Sequence, residues 1–194
     1  MSTLTSVTTI TTITTSTTAS STSTTATTTS TTARKLDVRF SLVNFDDVFI
    51  LNLFFIELPV SLVATVTASN YYSSAGSATS QGDSLVDRTT GGSGFSAGGY
   101  APQYVQLELP GLYNISLVCL QVGQSPNGVT RHQLSVGASV SSLSLVTDMN
   151  NYTSSGQWIN LTYSPVLTNV RFLRLDTLSS PSWVAWIKFI VYDL

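Results

Sequence analysis

The fold class follows from one short stretch, QYVQLEL at residues 103–109, because apolar and polar side chains alternate along it. In a β-strand, successive side chains point to opposite faces of the sheet. Val105, Leu107 and Leu109 therefore fall on one face, and the polar residues between them fall on the other. This pattern is typical of a strand that covers a core with one face and meets solvent with the other.

Similar short segments recur along the chain between stretches rich in Gly, Ser and Asn. Two of those stretches, residues 70–82 and 91–99, are predicted loops. No segment has sustained helical periodicity. Strands with turn signals about every 8–12 residues predict an all-β protein, an antiparallel β-sandwich of the jelly-roll type. The other predicted strands lie at residues 36–42, 48–58, 64–69, 115–122, 133–140, 143–146, 158–163, 170–175 and 186–192.

The predicted strand at residues 48–58, VFILNLFFIEL, is apolar on both faces. It is too short to cross a bilayer, which takes about 20 residues, so we expect no membrane span. A strand with two apolar faces is either central in a sandwich or covered by another subunit. A turn is predicted just before it, at residues 44–47.

The first 33 residues contain no charged side chain, and 25 of the first 32 residues are Ser or Thr. The apolar residues Leu4, Val7, Ile10 and Ile13 follow one another at intervals of three. A helix face would alternate intervals of three and four, whereas a strict period of three fits polyproline-II geometry or a threefold fibrous packing. Two interpretations stay open: a disordered, mucin-like tail, or an arm that neighbouring chains hold in place.

Composition excludes several classes of protein. Charged residues make up 9% of the chain and the net charge is −2, whereas soluble domains average about 25% charged residues. The 8 Lys and Arg residues form no basic patch, so we expect no nucleic-acid binding. A single cysteine, Cys119, and a single histidine, His132, leave no disulfide framework, no multi-Cys zinc site and no basis for most His-built catalytic centres. We therefore predict a binding or assembly protein and not an enzyme.

A family resemblance extends over about residues 64–193. Four stretches, in this order and spacing, resemble the discoidin or coagulation-factor type C domain, one of the galactose-binding-like jelly rolls. In the second stretch Arg88 stands where the family usually has Gly. The four stretches are VTAS at residues 66–69, LVDRTT at 85–90, QYVQLEL at 103–109, and a closing pair of strands, RFLRL at 171–175 followed by WVAWIKFIVY at 183–192.

The resemblance implies that ligands bind to loops at one end of the sandwich, since family members bind sugars, lipid headgroups or proteins there. It also implies that one of the closing tryptophans, Trp183 and Trp186, is a core residue and the other a rim residue. The alternative role for loop aromatics is to plug the ends of the sandwich. The candidate ligand-binding residues are Tyr72, Phe95, Tyr100, Arg131, His132 and Tyr152, and His132 is expected to be structural or to contact a ligand.

Many carbohydrate-binding relatives hold a structural calcium ion, and the resemblance assigns one of its carboxylate ligands to Asp87. The late acidic position of the family is occupied here by Lys188. Calcium takes six to eight oxygen ligands, and an adjacent cation opposes its binding. We therefore predict no cofactor and treat Asp87 as a doubtful calcium ligand, whose alternative role is to bond backbone amides in its loop.

Three N-glycosylation sequons begin at Asn114, Asn151 and Asn160. They matter only in a protein that enters a secretory pathway. No signal peptide is recognisable, because the sequence has neither the basic start nor the apolar run of about 7–15 residues that one needs.

These observations predict three parts: a Ser/Thr-rich arm at residues 1–33, additional strands at 34–63 that pack on the sandwich or on a neighbouring subunit, and a discoidin-like jelly roll at 64–194. The favoured function is a structural surface protein, such as a virion component, spike or filament subunit. It would form a homo-oligomer or larger assembly through residues 1–60, and its head would bind glycan or a surface partner. The alternative is a secreted or cell-surface lectin-like adhesion module on a mucin-like stalk. We accordingly expect an extracellular or virion-surface location.

Overall fold

The computed structural model describes residues 37–45, 48–56, 58–89 and 92–194. In the first two ranges it describes the backbone, which forms strands β1 (Asp37–Phe45) and β2 (Val48–Ile56). These strands pair as a two-stranded sheet of their own, and both overlap predicted strands. The turn predicted at residues 44–47 was wrong for residues 44 and 45, because β1 continues through them.

Several predictions fall outside the described part of the chain. They are the arm at residues 1–33, residues 46–47 of the predicted turn, and the burial of both faces of the apolar strand. These three stay predictions.

The second body comprises residues 58–194 without residues 90–91, and it is a β-sandwich. Short 3-10 turns cover Val60–Val63, Ser73–Ala75 and Val140–Ser142. The regular elements are β3 (Thr65–Ala68), α1 (Ala78–Leu85), β4 (Phe95–Ser96), β5 (Gln103–Val122), β6 (Gly128–Gly137), β7 (Ser144–Thr153), β8 (Trp158–Ser179) and β9 (Ala185–Asp193).

Every strand pairing in this body is antiparallel, in the order β4-β9-β5-β8-β6-β7, with β3 also paired to β5. The long strands β5 and β8 contribute to both layers, because their register shifts between Glu108 and Leu117 of β5. One layer holds β3, the first half of β5, the second half of β8, β6 and β7. The other holds β4, β9 and the remaining halves. The antiparallel sandwich predicted from the sequence is thus confirmed.

The core lies between the two layers. Val105, Leu107 and Leu109, the residues that set the predicted alternation, are each fully buried. They pack in one cluster with Leu173 of β8 and Phe189 of β9. Apolar burial contributes about 25 cal/mol for each Å² removed from water, so this cluster holds the layers together.

The prediction of a loop at residues 70–82 was wrong in part, because this segment contains most of helix α1. Ser77 caps the helix through its Oγ, which accepts from Ser80 N at 3.1 Å. The buried residue Gln81 donates through Nε2 to Tyr72 O at 2.9 Å and accepts at Oε1 from Ser96 N at 3.0 Å. The helix was missed because hydrogen-bonded polar residues fill the buried positions that apolar residues usually fill.

Further predictions on strands were incomplete. The segments 103–109 and 115–122 were predicted as separate strands, but they belong to the single 20-residue strand β5. The segments 158–163 and 170–175 likewise belong to the single 22-residue strand β8. The Gly-rich loop at 91–99 contains the short strand β4, whose Phe95 pairs with Trp186 of β9. Neither join is visible locally, because pairing to distant strands decides where a strand continues.

Candidate functional site

Four connections of the sandwich meet at one end: residues 69–77, 97–102, 123–127 and 180–184. Backbone hydrogen bonds join two of them, Ala97 N to Val184 O and Val184 N to Gly99 O, each at 2.9 Å. The other two are bonded to the adjoining strand ends, Tyr72 N to Ser96 O of β4 at 2.9 Å and Gly123 N to Ala185 O of β9 at 3.0 Å. Ser125 N also donates to Ser182 Oγ at 3.2 Å. We call the surface formed by these four connections the apical surface.

An aromatic pair lies at the centre of the apical surface. The rings of Tyr72 and Trp183 contact edge to face, with centroids 5.5 Å apart and an interplanar angle of 72°. Both rings remain partly open to solvent, at 40% for Tyr72 and 44% for Trp183. By contrast Trp186 is buried, which confirms that one closing tryptophan is core and the other rim.

Glycine brings the neighbouring loop against this pair. Gly98 has φ +69°, and a Cβ there would lie 3.1 Å from Tyr72 Cα, so a side chain would strain the backbone and crowd the loop. Beyond it, Tyr100 is 66% exposed, and its carbonyl accepts from Gln103 Nε2 at 3.1 Å. The apical surface therefore displays Tyr72, Tyr100 and Trp183 together.

The apical surface carries no charge. None of residues 69–77, 97–102, 123–127 and 180–184 is Asp, Glu, Lys, Arg or His. Its polar groups are hydroxyls, amides and backbone atoms, which recognise a ligand by neutral hydrogen bonds. Its chemistry is therefore aromatic and neutral.

Phe95 does not lie at the loop surface where the sequence placed it. Its side chain is buried, and its ring centroid is 6.4 Å from that of Trp186. Strand β4 pairs with β9 and turns the ring inwards. The assignment of Phe95 as an exposed loop aromatic was wrong, and the residue belongs to the core.

Arg131 and Tyr152 lie on the outer face of the β6–β7 ladder rather than in loops. Arg131 donates to Asp148 at two points, Nη2 to Oδ2 at 2.7 Å and Nε to Oδ1 at 3.1 Å. These bonds, together with one from Gln133, lower the pKa of Asp148 to about 2. Tyr152 is 63% exposed and pairs in register with Val129. The two candidates therefore lie on a face of the sheet and not on the loops that carry the apical aromatics.

His132 lies inside the sandwich, in the middle of β6. Its Nδ1 is 2.8 Å from Thr177 Oγ1 on β8. Burial lowers its pKa to about 4, so the ring is neutral at pH 7. It cannot serve as an exposed cationic contact at the apical surface.

Asp87, the candidate calcium ligand, is bonded instead by an ammonium group. Lys188 Nζ donates to Asp87 Oδ1 at 2.7 Å and to Ser84 O at 2.8 Å. The cation occupies the space between two oxygens that would otherwise face a metal. In the described part of the chain, no group of three or more His, Cys, Asp or Glu is placed to hold a metal ion. The residues present here do not fit a calcium ion.

Comparison with known proteins places the fold. No protein-family profile matches the chain, and no curated protein matches it in sequence. Solved structures do match: the family 32 carbohydrate-binding module of C. perfringens NanJ, in complex with galactose, has a TM-score of 0.55 at 13% identity. The match covers 70% of this chain and 97% of the module. The described sandwich shares the jelly-roll fold of this module.

Two further structures share the jelly roll. A Clostridium perfringens module in complex with GalNAc-β-1,3-galactose has a TM-score of 0.53 at 18% identity, with 70% of this chain and 98% of that one covered. Chitosan-binding module 1 of a chitosanase/glucanase from Paenibacillus sp. IK-5 has a TM-score of 0.53 at 17% identity, covering 69% and 98%. The predicted resemblance to the discoidin-like, galactose-binding-like folds is confirmed at the level of the fold.

The sequons of the jelly roll all lie on strands. Asn114, Asn151 and Asn160 are exposed positions of β5, β7 and β8, and their modification stays a prediction. Among the described residues, no helix is long and apolar enough to cross a membrane.

Sequence reasoning missed two features of the jelly roll. The contact between Tyr72 and Trp183 joins residues 111 positions apart, and only the resemblance hinted at a rim tryptophan. Trp158 was treated only as part of a strand, although it is 47% exposed beside a cavity. The local signal available for Trp158 was its position directly after the turn residues 154–157.

Proposed function

We propose that the jelly roll is a carbohydrate-binding module that recognises a neutral glycan through its apical surface. The observation that carries the proposal is the exposed Tyr72–Trp183 pair among uncharged loops. Aromatic rings stack on the apolar faces of sugars, while hydroxyl and amide groups select the sugar hydroxyls. The solved neighbours support a sugar ligand: two were determined with the neutral sugars galactose and GalNAc-β-1,3-galactose. A third was determined with 4,5-unsaturated mannuronic acid, an acidic sugar, so the choice of a neutral glycan rests on the uncharged apical surface of this chain.

The lack of charged side chains on the apical surface favours an uncharged ligand. A phosphate headgroup or an acidic sugar would have to be desolvated without an opposing cation, which costs free energy. A neutral sugar has no such requirement. We therefore propose neutral hexoses or N-acetylhexosamines as the ligand, and a non-catalytic role for this surface. Some of the neighbours stand beside enzyme domains, as in an alginate lyase.

A glycan array tests this proposal. The full chain is applied to an array that carries matched neutral, sialylated, sulfated and uronic acid-containing glycans, with circular dichroism as the check on folding. We expect specific signals confined to neutral glycans. A blank array with folded protein, or signals only on anionic glycans, would contradict the proposal.

A role in assembly remains the second candidate, and the observation that favours it is the uncharged, period-three arm at residues 1–33. A segment with so few core-forming residues cannot offset the entropy of its own ordering, so other chains would have to order it. We propose that the arm tethers the jelly roll within an oligomer on a virion or cell surface. Light scattering should show an oligomer for the full chain and a monomer after deletion of residues 1–33. Equal, monomeric masses would contradict this role.

A further inference from the structure

A cavity opens beside the apical surface, where the edge strand β7 faces the beginning of β8. Gln124 Nε2, in the apical connection 123–127, donates to the carbonyl of the lining residue Thr153 at 3.1 Å. Inward residues of β6 and β7 form one wall, and residues 157–159 form the other. Its volume is about 160 Å³. We call it the lateral cleft. None of its lining residues belongs to the apical surface.

The lateral cleft contains a buried polar atom without a hydrogen-bond partner. His132 is 3% exposed and lines the cavity. Thr177 engages its Nδ1, whereas its Nε2 has no partner within the described residues. Leaving a buried polar atom unpaired costs about 1–3 kcal/mol, and native proteins contain few such atoms. Nε2 is closed to solvent as the cleft stands, so a ligand hydroxyl reaches it only with a small shift of the surrounding side chains. The hydrogen bond formed there would remove that cost.

Other neutral polar groups surround the imidazole. The hydroxyls of Thr130 and Thr153 lie 2.9 Å apart within the wall. Gln157, whose Oε1 accepts from Ser154 N at 2.9 Å, and the exposed Asn151 stand at the rim. Gln124 Nε2 also donates to Thr153 Oγ1, so the groups that remain for a ligand are the Asn151 amide and Gln157 Nε2, which supply donors and an acceptor for sugar hydroxyls.

An aromatic wall completes the cleft. Trp158 lines it with an indole that is 47% exposed, and Ile159 and Met149 supply apolar surface. One aromatic face opposite several neutral polar groups is the combination that a pyranose ring requires, since the ring has an apolar face and polar edges.

The size and charge of the cleft restrict the ligand further. A volume of about 160 Å³ equals the space of about five liquid waters at roughly 30 Å³ each. This space is comparable to one sugar ring. No lining residue is Asp, Glu, Lys or Arg, and the lining histidine, His132, is neutral at pH 7. The nearest charges along β6 and β7, Arg131 and Asp148, bind each other on the opposite face.

We propose that the lateral cleft is a second binding site, which takes a single neutral pyranose residue. A sugar hydroxyl pairs with His132 Nε2, and the apolar face of the ring lies on Trp158. The inference rests on the proposed function for its class of ligand, but it assigns binding to different residues. The two sites would let one jelly roll hold two sugars.

Nuclear magnetic resonance of the imidazole tests the proposal, because the chain has a single histidine. The full chain is made with labelled histidine in a host that adds no N-glycans, since Asn151 lines the cleft and begins a sequon. Galactose, glucose, mannose, N-acetylgalactosamine and N-acetylglucosamine are titrated separately, with glucuronic acid as the anionic comparison. We expect a saturable shift of the His132 Nε2 resonance with at least one neutral sugar and none with glucuronic acid.

Matched variants locate the response. Trp158→Ala should weaken the sugar that shifts His132 by about tenfold or more, Trp158→Phe should retain most of its affinity, and Trp183→Ala should leave it within about twofold. A silent His132 resonance alongside glycan binding that Trp183→Ala abolishes would overturn the lateral site and leave the apical proposal standing. If His132 responds to a sugar and Trp183→Ala leaves the array signals unchanged, the apical proposal is overturned and the lateral site stands. Loss of the His132 response in Trp183→Ala would overturn the independence of the two sites.

Discussion

Two inward positions on strand β6 lie in different surroundings, one apolar and one polar. Leu134 pairs in register with Leu175 and lies in the apolar cluster between the layers. Two residues earlier, His132 pairs with Thr177 and lines the lateral cleft. Both side chains are nearly inaccessible to solvent. The difference shows that strand β6 packs into the apolar core at Leu134 and, nearer its beginning, buries a polar side chain whose Nε2 no described residue satisfies.

The largest effect is expected in the apolar half. Leu107→Ala removes a fully buried side chain from the central cluster and should lower the free energy of unfolding by about 2–5 kcal/mol. Urea unfolding followed by circular dichroism measures the change. Ser116→Ala, at a partly buried hydroxyl, serves as the comparison and should cost less. Equal losses for the two variants would contradict the division of the interior.

The polar half should reveal itself through pH. Burial lowers the pKa of His132 from 6.5 to about 4, so the unfolded chain binds the proton more readily between these values. The contribution of the neutral imidazole to stability should therefore be fully present above pH 6.5. The free energy of unfolding should fall by about 3 kcal/mol as the pH drops from 6.5 toward 4. His132→Gln should flatten this part of the stability curve. A wild-type curve that is flat from pH 6.5 to 4 would show that the imidazole is not buried.

Lys188 offers the contrasting case of a charged group that has its hydrogen-bond partners. Lys188→Met removes its bonds to Asp87 and Ser84 and should cost about 1–2 kcal/mol, because Asp87 is largely exposed. Lys188→Arg should retain part of that stability. In thermal unfolding, neither calcium nor a chelator should move the wild-type midpoint. A calcium-dependent rise would contradict the assignment of the ammonium to this position.

The smallest effect is expected on the outer face of β6. Arg131 and Asp148 form an exposed pair, and exposed pairs contribute about 0–1 kcal/mol. Arg131→Ala should therefore change the free energy of unfolding by less than about 1 kcal/mol and leave the glycan array profile unchanged. A lost array signal in this variant would move the ligand site from the apical surface to the outer sheet face.

Much of the fold could be predicted from the sequence, because strand burial leaves a local pattern. The alternation of Val105, Leu107 and Leu109 set the inner face of β5, and the structure agrees. The position of Lys188 against Asp87 followed from the resemblance and is also observed. Helix α1 escaped prediction because Gln81 is buried through hydrogen bonds instead of apolar contact.

The candidate site was less predictable, because it depends on which distant segments meet. Loop composition alone indicated Tyr72 and Tyr100, but it also indicated Phe95, which the pairing of β4 with β9 turns inwards. The lateral cleft needs β6, β7 and the beginning of β8 to converge. No local pattern marks His132 as differing from Leu134, since both occupy inward positions of the same strand.

Titration calorimetry with the strongest neutral glycan from the array tests the central claim most directly. Trp183→Ala and Tyr152→Ala each remove one exposed aromatic ring, from the apical surface and from the outer face of β7 respectively. If the apical surface binds the glycan, Trp183→Ala should weaken binding by about tenfold or more and Trp183→Phe by much less. Tyr152→Ala should weaken it by less than about twofold. Undiminished binding by folded Trp183→Ala, or an equal loss in Tyr152→Ala, would contradict the central claim.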